Sequence, residues 1–322
     1  MTQASSTAAG ITVPPRGIAQ YDALVAQAST QSPWQLSGQA AAAPDHQAPS
    51  TSLAGPAMQD ARSRARYLPD LELLARILSV PVRAQATTQS GLLGKGLDAW
   101  FAHEFRRAGF DPDAVWPRAQ DPRVLPTDLT ALLEGLPAPL RRELERRLGR
   151  MRSVAPQDAR ILGRAYTKQV DVVMSSWQTG PELLLSTKSQ SGSFGNNLAN
   201  RFEEAYGDAG NLRARYPLAA VGFAFVVSAA ILAEPTQVDK AVDMMLKLRD
   251  RGDGNGYTTT TLICYEPLPG GEVRLRPEVF PSELGPGPFM ETMIDTILQA
   301  APSTRHGRVR ELRRHGTATL GS

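Results

Sequence analysis

The sequence predicts an α/β fold in which a mixed central β-sheet is flanked by helices, preceded by a disordered N-terminal arm. Three observations carry the prediction. "VDVVMSSWQTGPELLLSTKSQ", 170–190, reads as two strands joined by a tight turn. "YPLAAVGFAFVVSAAIL", 216–232, opens as the continuous apolar run of a strand buried on both faces. Between and after these, helical periodicity alternates with β-branched runs, which is the order of a layered α/β core.

Taken in chain order, residues 1–58 are rich in Ala, Ser, Thr, Gln, Pro and Gly. They bury too little apolar surface to offset chain entropy, so a disordered arm is expected. A largely helical region, 59–168, follows. In it "MQDARSRARYLPDLELLARIL", 58–78, repeats Leu71, Leu74, Ala75 and Leu78 at helical spacing, and 90–110 sets Leu97, Trp100, Phe101 and Phe105 on one stripe. Residues 111–136, rich in Pro and Asp, read as a connection, and "PAPLRRELERRLGRM" as a short basic helix with proline at its start. The core is expected over 169–301, with helix 90–110 packed onto it. Its strands are placed at 169–177, 182–188, from 216, at 257–267 and in "EVRLRPEVF". Its helices are placed at 196–214, broken or ended near Gly207–Gly210, at 236–251 and in "GPFMETMIDTILQAA". Residues 302–322 read as a basic tail.

Composition narrows the function classes. The chain has 322 residues, is 42% hydrophobic and 21% charged, and carries one cysteine, Cys264, and four histidines. A disulfide framework, a cysteine zinc cluster and a histidine-rich metal site are thereby disfavoured. No apolar run reaches the roughly 18 residues of a membrane span, and the N-terminus lacks the pattern of a secretory signal. A cytoplasmic protein with no membrane partner is expected. Net charge is only +3, but nine Lys/Arg face three acids over 137–168, and five arginines face Glu311 in 305–316. Clustered arginine suits phosphate contacts, and equally a solvated helix face with a frayed tail.

The hairpin holds the chemical candidates. Side chains alternate across a strand, so Glu182, Leu184, Ser186 and Lys188 share one face and Leu183, Leu185 and Thr187 the other. Antiparallel pairing across the turn can bring Asp171 opposite the Ser186–Lys188 end. An aspartate and a lysine converging at a sheet's open end can hold a divalent cation and an attacking water, as phosphodiester hydrolysis requires. The plainer reading makes Asp171 a strand cap and Lys188 a solvated strand-end lysine.

A helix carrying an acid, a strand carrying Asp171, a turn, and a strand ending in Ser186-Thr187-Lys188 together resemble the PD-(D/E)XK nuclease superfamily, in particular type II restriction endonucleases. The resemblance spans roughly residues 90–230. It implies a restriction endonuclease-like core. It also implies a Mg²⁺-dependent endodeoxyribonuclease that cuts double-stranded DNA as a homodimer, with a cognate DNA methyltransferase as a possible companion. Asp171 and Lys188 match the family's strand residues. Val170 stands where proline is frequent, and Ser186 replaces the second acid. Glu182 is on the right face but about 13 Å along the strand from Ser186, too far to share one ion. Some members with Ser-x-Lys recruit a glutamate from the next helix, at close to the distance of Glu203 and Glu204, which stand fifteen and sixteen residues after Lys188. These point about 100° apart, so one at most faces the site, and Glu203 is taken first.

Glu104 matches the family's helix glutamate, with Asp98 as the weaker alternative; His103 is given no role. The implied metal ligands are Asp171, Glu203 and the backbone carbonyl of Thr187. Arg201, Arg213 and Arg215 are candidate phosphate contacts. Two readings stand beside this one: a catalytically inactive nuclease fold that binds DNA or joins a complex, motivated by Ser186, and an unrelated α/β protein whose hairpin matches by chance. RNA in place of DNA stays open.

Overall fold

Nine consecutive residues, Ala220–Ser228, are buried throughout, and the rest of the molecule is layered on the two faces of the strand they form. The computed structural model describes residues 15–36, 65–87 and 90–316. In chain order, a 3-10 turn at Gly17–Tyr21 leads into α1 (Asp22–Ala26), and β1 (Trp34–Gln35) pairs with β2 (Arg66–Tyr67). Helix α2 (Leu71–Arg83) starts where Asp70 Oδ1 accepts the Leu73 amide at 2.8 Å, which satisfies one of the unpaired amides of the first turn. Then come α3 (Leu92–Arg107), β3 (Val115–Trp116), α4 (Thr127–Glu134) and α5 (Ala138–Leu148). The second half runs β4 (Ala159–Leu162), β5 (Thr167–Val170), β6 (Val172–Ser176), β7 (Gly180–Gln190), α6 (Phe194–Arg213) and β8 (Ala220–Ser228). It closes with α7 (Pro235–Lys247), β9 (Thr259–Pro267), β10 (Val273–Leu275), α8 (Pro286–Ala300) and α9 (Gly307–His315).

The main sheet has the order β10-β9-β8-β7-β6-β3. Strands β7, β8 and β9 are parallel, and the pairs at both edges are antiparallel. This is the mixed sheet flanked by helices that the sequence predicts. One face packs Val172, Met174, Leu183, Leu185 and Ala224 against α2, α3, α8 and α9. The other packs Val173, Leu184, Val221, Phe223 and Phe225 against α6 and α7. Burial on both faces explains why β8 is apolar without alternation. Gly222 lets α8 approach β8: a Cβ there would lie 2.8 Å from Phe289 Cζ and 2.9 Å from Met293 Cε.

Several boundaries differ from the sequence expectations, each for a packing reason. Within the stretch 1–58 read as a disordered arm, residues 15–36 form elements that pack on α3. Tyr21 is fully buried and donates from its hydroxyl to the Leu92 carbonyl at 2.8 Å, and Trp34 Nε1 donates to the Ala108 carbonyl at 3.4 Å. The remainder of that arm, and 317–322 of the tail, lie outside the described residues. The connection 111–136 contributes edge strand β3 and helix α4. The tail contains α9, whose Val309 and Leu312 are buried against α3 and its neighbours. Helix α6 runs through Gly207 and Gly210 without ending. The strand expected over 169–177 is two strands. β5 pairs with β4 in a separate two-stranded ribbon, β6 pairs with β7, and Asp171 is the residue between them. Among the described residues no helix is long and apolar enough to cross a membrane.

Candidate active site

Asp171 sits where the chain leaves the β4–β5 ribbon and enters the main sheet. Its amide donates to the Leu185 carbonyl at 3.2 Å, and its Oδ2 accepts the Thr187 amide at 2.8 Å. The expected meeting of Asp171 with the Ser186–Lys188 end therefore occurs. Thr187 lies on the opposite strand face from Lys188, and there its hydroxyl donates to Asp98 Oδ1 at 2.7 Å. One residue thus joins two carboxylates, the amide holding Asp171 and the hydroxyl holding Asp98.

Asp98 is the helix acid at this site, and Glu104 is not. Six residues apart on α3, they point about 120° away from each other around the helix axis. Glu104 is fully buried elsewhere, accepting from Arg107 Nη1 at 2.7 and 2.9 Å, from the Tyr67 hydroxyl at 3.0 Å and from the Asp70 amide at 3.4 Å. It ties β2 and the start of α2 to α3. Burial raises its carboxyl to about 7, with Arg107 and Tyr67 opposing.

Electrostatics mark the Asp98–Asp171 pair. Burial, and after it the charge of Asp171, pushes Asp98 well above the usual carboxylate range against Lys95 and Thr187. Burial also raises Asp171, opposed by the Thr187 amide and by Lys188, Lys95 and Lys168. Lys95 Nζ lies 3.6 Å from Asp98 and 3.1 Å from Asp158. Burial works against the Lys95 charge, yet these aspartates hold its pKa above the ordinary value. Two crowded buried carboxylates are what a divalent cation would relieve, and Mg²⁺ binds through one or two carboxylates together with substrate phosphate oxygens. Among the described residues no cluster of three or more His, Cys, Asp or Glu side chains is assembled for a metal. Both carboxylates line a cavity of about 370 Å³, which Arg152 and Gln169 also border.

On the opposite strand face, Lys188 Nζ meets Glu204 Oε1 at 3.0 Å. Of the two helix acids it is Glu204 that reaches the lysine. Glu203, taken first from the spacing, points to solvent on α6, so the metal set Asp171, Glu203 and Thr187 carbonyl is not brought together. Lys168 Nζ also meets Glu204, at 3.2 Å, and pairs with Asp208. Partial burial opposes the Glu204 charge, but Lys188 and Lys168 hold its carboxyl below the usual range. Ser186 is buried on the face of Leu184 and Lys188. Glu182 is engaged far from the site by Arg305 at 3.2 Å and His306 at 3.3 Å.

The expected phosphate contacts separate. Arg201 is half-exposed beside Glu204, at 3.6 Å. Arg213 is committed to Asp250 at 3.1 Å and to the carbonyls of Pro217 and Ala219, so it is not available to a phosphate. Arg215 lies over the Tyr216 ring, 5.8 Å from its centroid. Lys95, Asp158, Lys168 and Asp208 were not singled out by sequence. Lys95 stands one helical turn from Asp98, the spacing that could have marked it.

No protein-family model, curated protein or solved structure matches the chain.

Proposed function

We propose that the protein is a Mg²⁺-dependent endonuclease of restriction type, hydrolysing phosphodiester bonds in double-stranded DNA. The observation that carries the reading is the pair of buried carboxylates, Asp98 and Asp171, bridged by Thr187, with the charge of Lys188 bearing on Asp171 from the other strand face. Asp98 and Asp171 would hold the Mg²⁺, which supplies positive charge to the phosphate as negative charge develops in the transition state. Thr187 fixes both carboxylates by donating one hydrogen bond to each. Lys188 orients the attacking water, and Glu204 sets the position of the lysine amine. Arg201, at the rim, is placed to meet a neighbouring phosphate. Cutting both strands of a duplex takes two such sites, which favours a homodimer.

The absence of a third metal-binding carboxylate among the described residues favours one competing reading, a catalytically inactive nuclease fold that binds DNA. One assay separates the two. Supercoiled plasmids of varied sequence are incubated with protein and Mg²⁺, using wild type, Asp171→Ala and Lys188→Ala. The nuclease reading expects linear or nicked product with wild type, none in excess chelator, and at least a hundredfold slower cutting by either variant. Duplex binding with no Mg²⁺-linked cutting establishes the inactive fold, and equal cutting by all three proteins removes the site.

A further inference from the structure

The β4–β5 ribbon is two strands of four residues, outside the main sheet, with one face turned to solvent. Its register places Arg160 opposite Gln169 and Leu162 opposite Thr167. All four are exposed, whereas Ala159 and its partner Val170 are buried and Ile161 and Lys168 half-buried on the reverse face. Such a ribbon is marginal by itself, yet this one is held stiffly. Asn211 Oδ1 accepts the amides of Ala165 at 2.8 Å and Tyr166 at 3.2 Å, and its Nδ2 donates to the Tyr166 carbonyl at 3.0 Å. The backbone at Gly163 lies so close that a Cβ would fall 2.2 Å from Asn211 Nδ2. The Tyr166 hydroxyl donates to Asp208 at 2.9 Å, and the Tyr216 hydroxyl to the Leu162 carbonyl at 3.0 Å.

The outward face is clamped from behind and uncommitted in front. The side chains of Arg160, Arg164, Thr167 and Gln169 make no hydrogen bond or ion pair with other described residues. Leu162 and Tyr166 are 50% and 45% exposed beside them. The face is also continuous with the catalytic cavity, because Gln169 borders that cavity next to Asp171. A two-stranded ribbon fits the major groove, where arginine pairs with guanine O6 and N7, glutamine with adenine N6 and N7, and small apolar groups with the thymine methyl. Arg160 and Gln169, directly opposite each other, can reach neighbouring base pairs.

We propose that the β4–β5 ribbon enters the major groove of duplex DNA and reads base edges, with Arg160 and Gln169 as the specificity-determining pair. The proposal rests on the reading of the adjacent carboxylates as a DNA-cleaving site. Its test does not require cleavage. The full chain, in chelator, selects duplexes from a randomised pool; bound sequences are read, and fluorescence anisotropy measures affinity for the selected and for an unrelated duplex. Wild type should select a motif. Arg160→Ala and Gln169→Ala should each lose tenfold or more discrimination at one base pair while affinity for the unrelated duplex changes less than about threefold. Thermal unfolding checks that both variants fold.

The proposal is overturned if both variants select the wild-type motif with the same discrimination. It is equally overturned if wild type selects no motif, or prefers single strands or RNA to duplex DNA. A chain that selects through Arg160 but never cuts plasmid removes the nuclease reading alone. A chain that cuts, with unchanged cut sites in Arg160→Ala, removes the ribbon alone.

Discussion

Thr187 is the residue on which the site turns, since its amide and hydroxyl hold two carboxylates that repel each other. That repulsion is a stability cost in the metal-free protein. Asp98→Asn keeps an acceptor for the Thr187 hydroxyl and removes one charge, so the metal-free protein should gain about 1 kcal/mol, a rise in Tm of about 2 °C for a chain of this size. The same variant should lose most of the Tm increase that Mg²⁺ gives the wild type, both read by calorimetry. Glu104 supplies a second residue-scale test. Its carboxyl is raised from 4.5 to about 7, so its contribution to stability is complete below pH 4.5 and is lost as pH rises through about 7. Wild type should therefore lose stability relative to Glu104→Gln over that window, on the order of 3 kcal/mol at about 1.4 kcal/mol per pH unit. Parallel urea-unfolding curves for the two proteins would contradict the assignment. The sequence names both acids and puts Glu104 first, but it is Asp98 that accepts from Thr187. Around the helix Asp98 stands at one edge of the stripe Leu97, Trp100, Phe101, Phe105 and Glu104 falls within it, between Trp100 and Leu97, and only the packing of α3 against β7 says which of them meets Thr187.

At the scale of elements, the strands of the parallel core were legible because β8 is buried on both faces and reads as an unbroken apolar run. The break at Asp171 was not, because Val170 and Val172 belong to opposite core faces, a change that alternation cannot reveal without knowing which strand each segment joins. The same holds for α9, whose four arginines hide the two residues that dock it. Leu312 is 5% exposed and lies against Gly109, where a Cβ would approach its Cδ1 to 2.9 Å. Leu312→Ala should cost about 2–5 kcal/mol; an unchanged Tm would return this segment to the status of a loose tail. Asn211→Ala removes three hydrogen bonds at the ribbon turn and leaves two amides to find other partners. Faster hydrogen exchange at Ala165 and Tyr166, with the exchange of β8 unaltered, is the expected result.

Taken as a whole, the molecule places a negative pair in a cavity bordered by basic groups. Arg150, Arg152 and Arg164 are exposed and without carboxylate partners among the described residues. Duplex binding through these groups should weaken steeply with salt, several tenfold steps between 50 and 200 mM for about six phosphate contacts; a salt-independent affinity would count against a nucleic-acid substrate. In the proposed reaction Asp98 and Asp171 with Lys188 perform the hydrolysis while Glu203 stands outside. The most direct measurement is single-turnover cleavage of one plasmid in Mg²⁺ by wild type, Asp98→Asn, Asp171→Asn and Glu203→Ala. The geometry predicts rates at least a hundredfold lower for both aspartate variants and within about twofold of wild type for Glu203→Ala. A slow Glu203→Ala with a fast Asp98→Asn would contradict it.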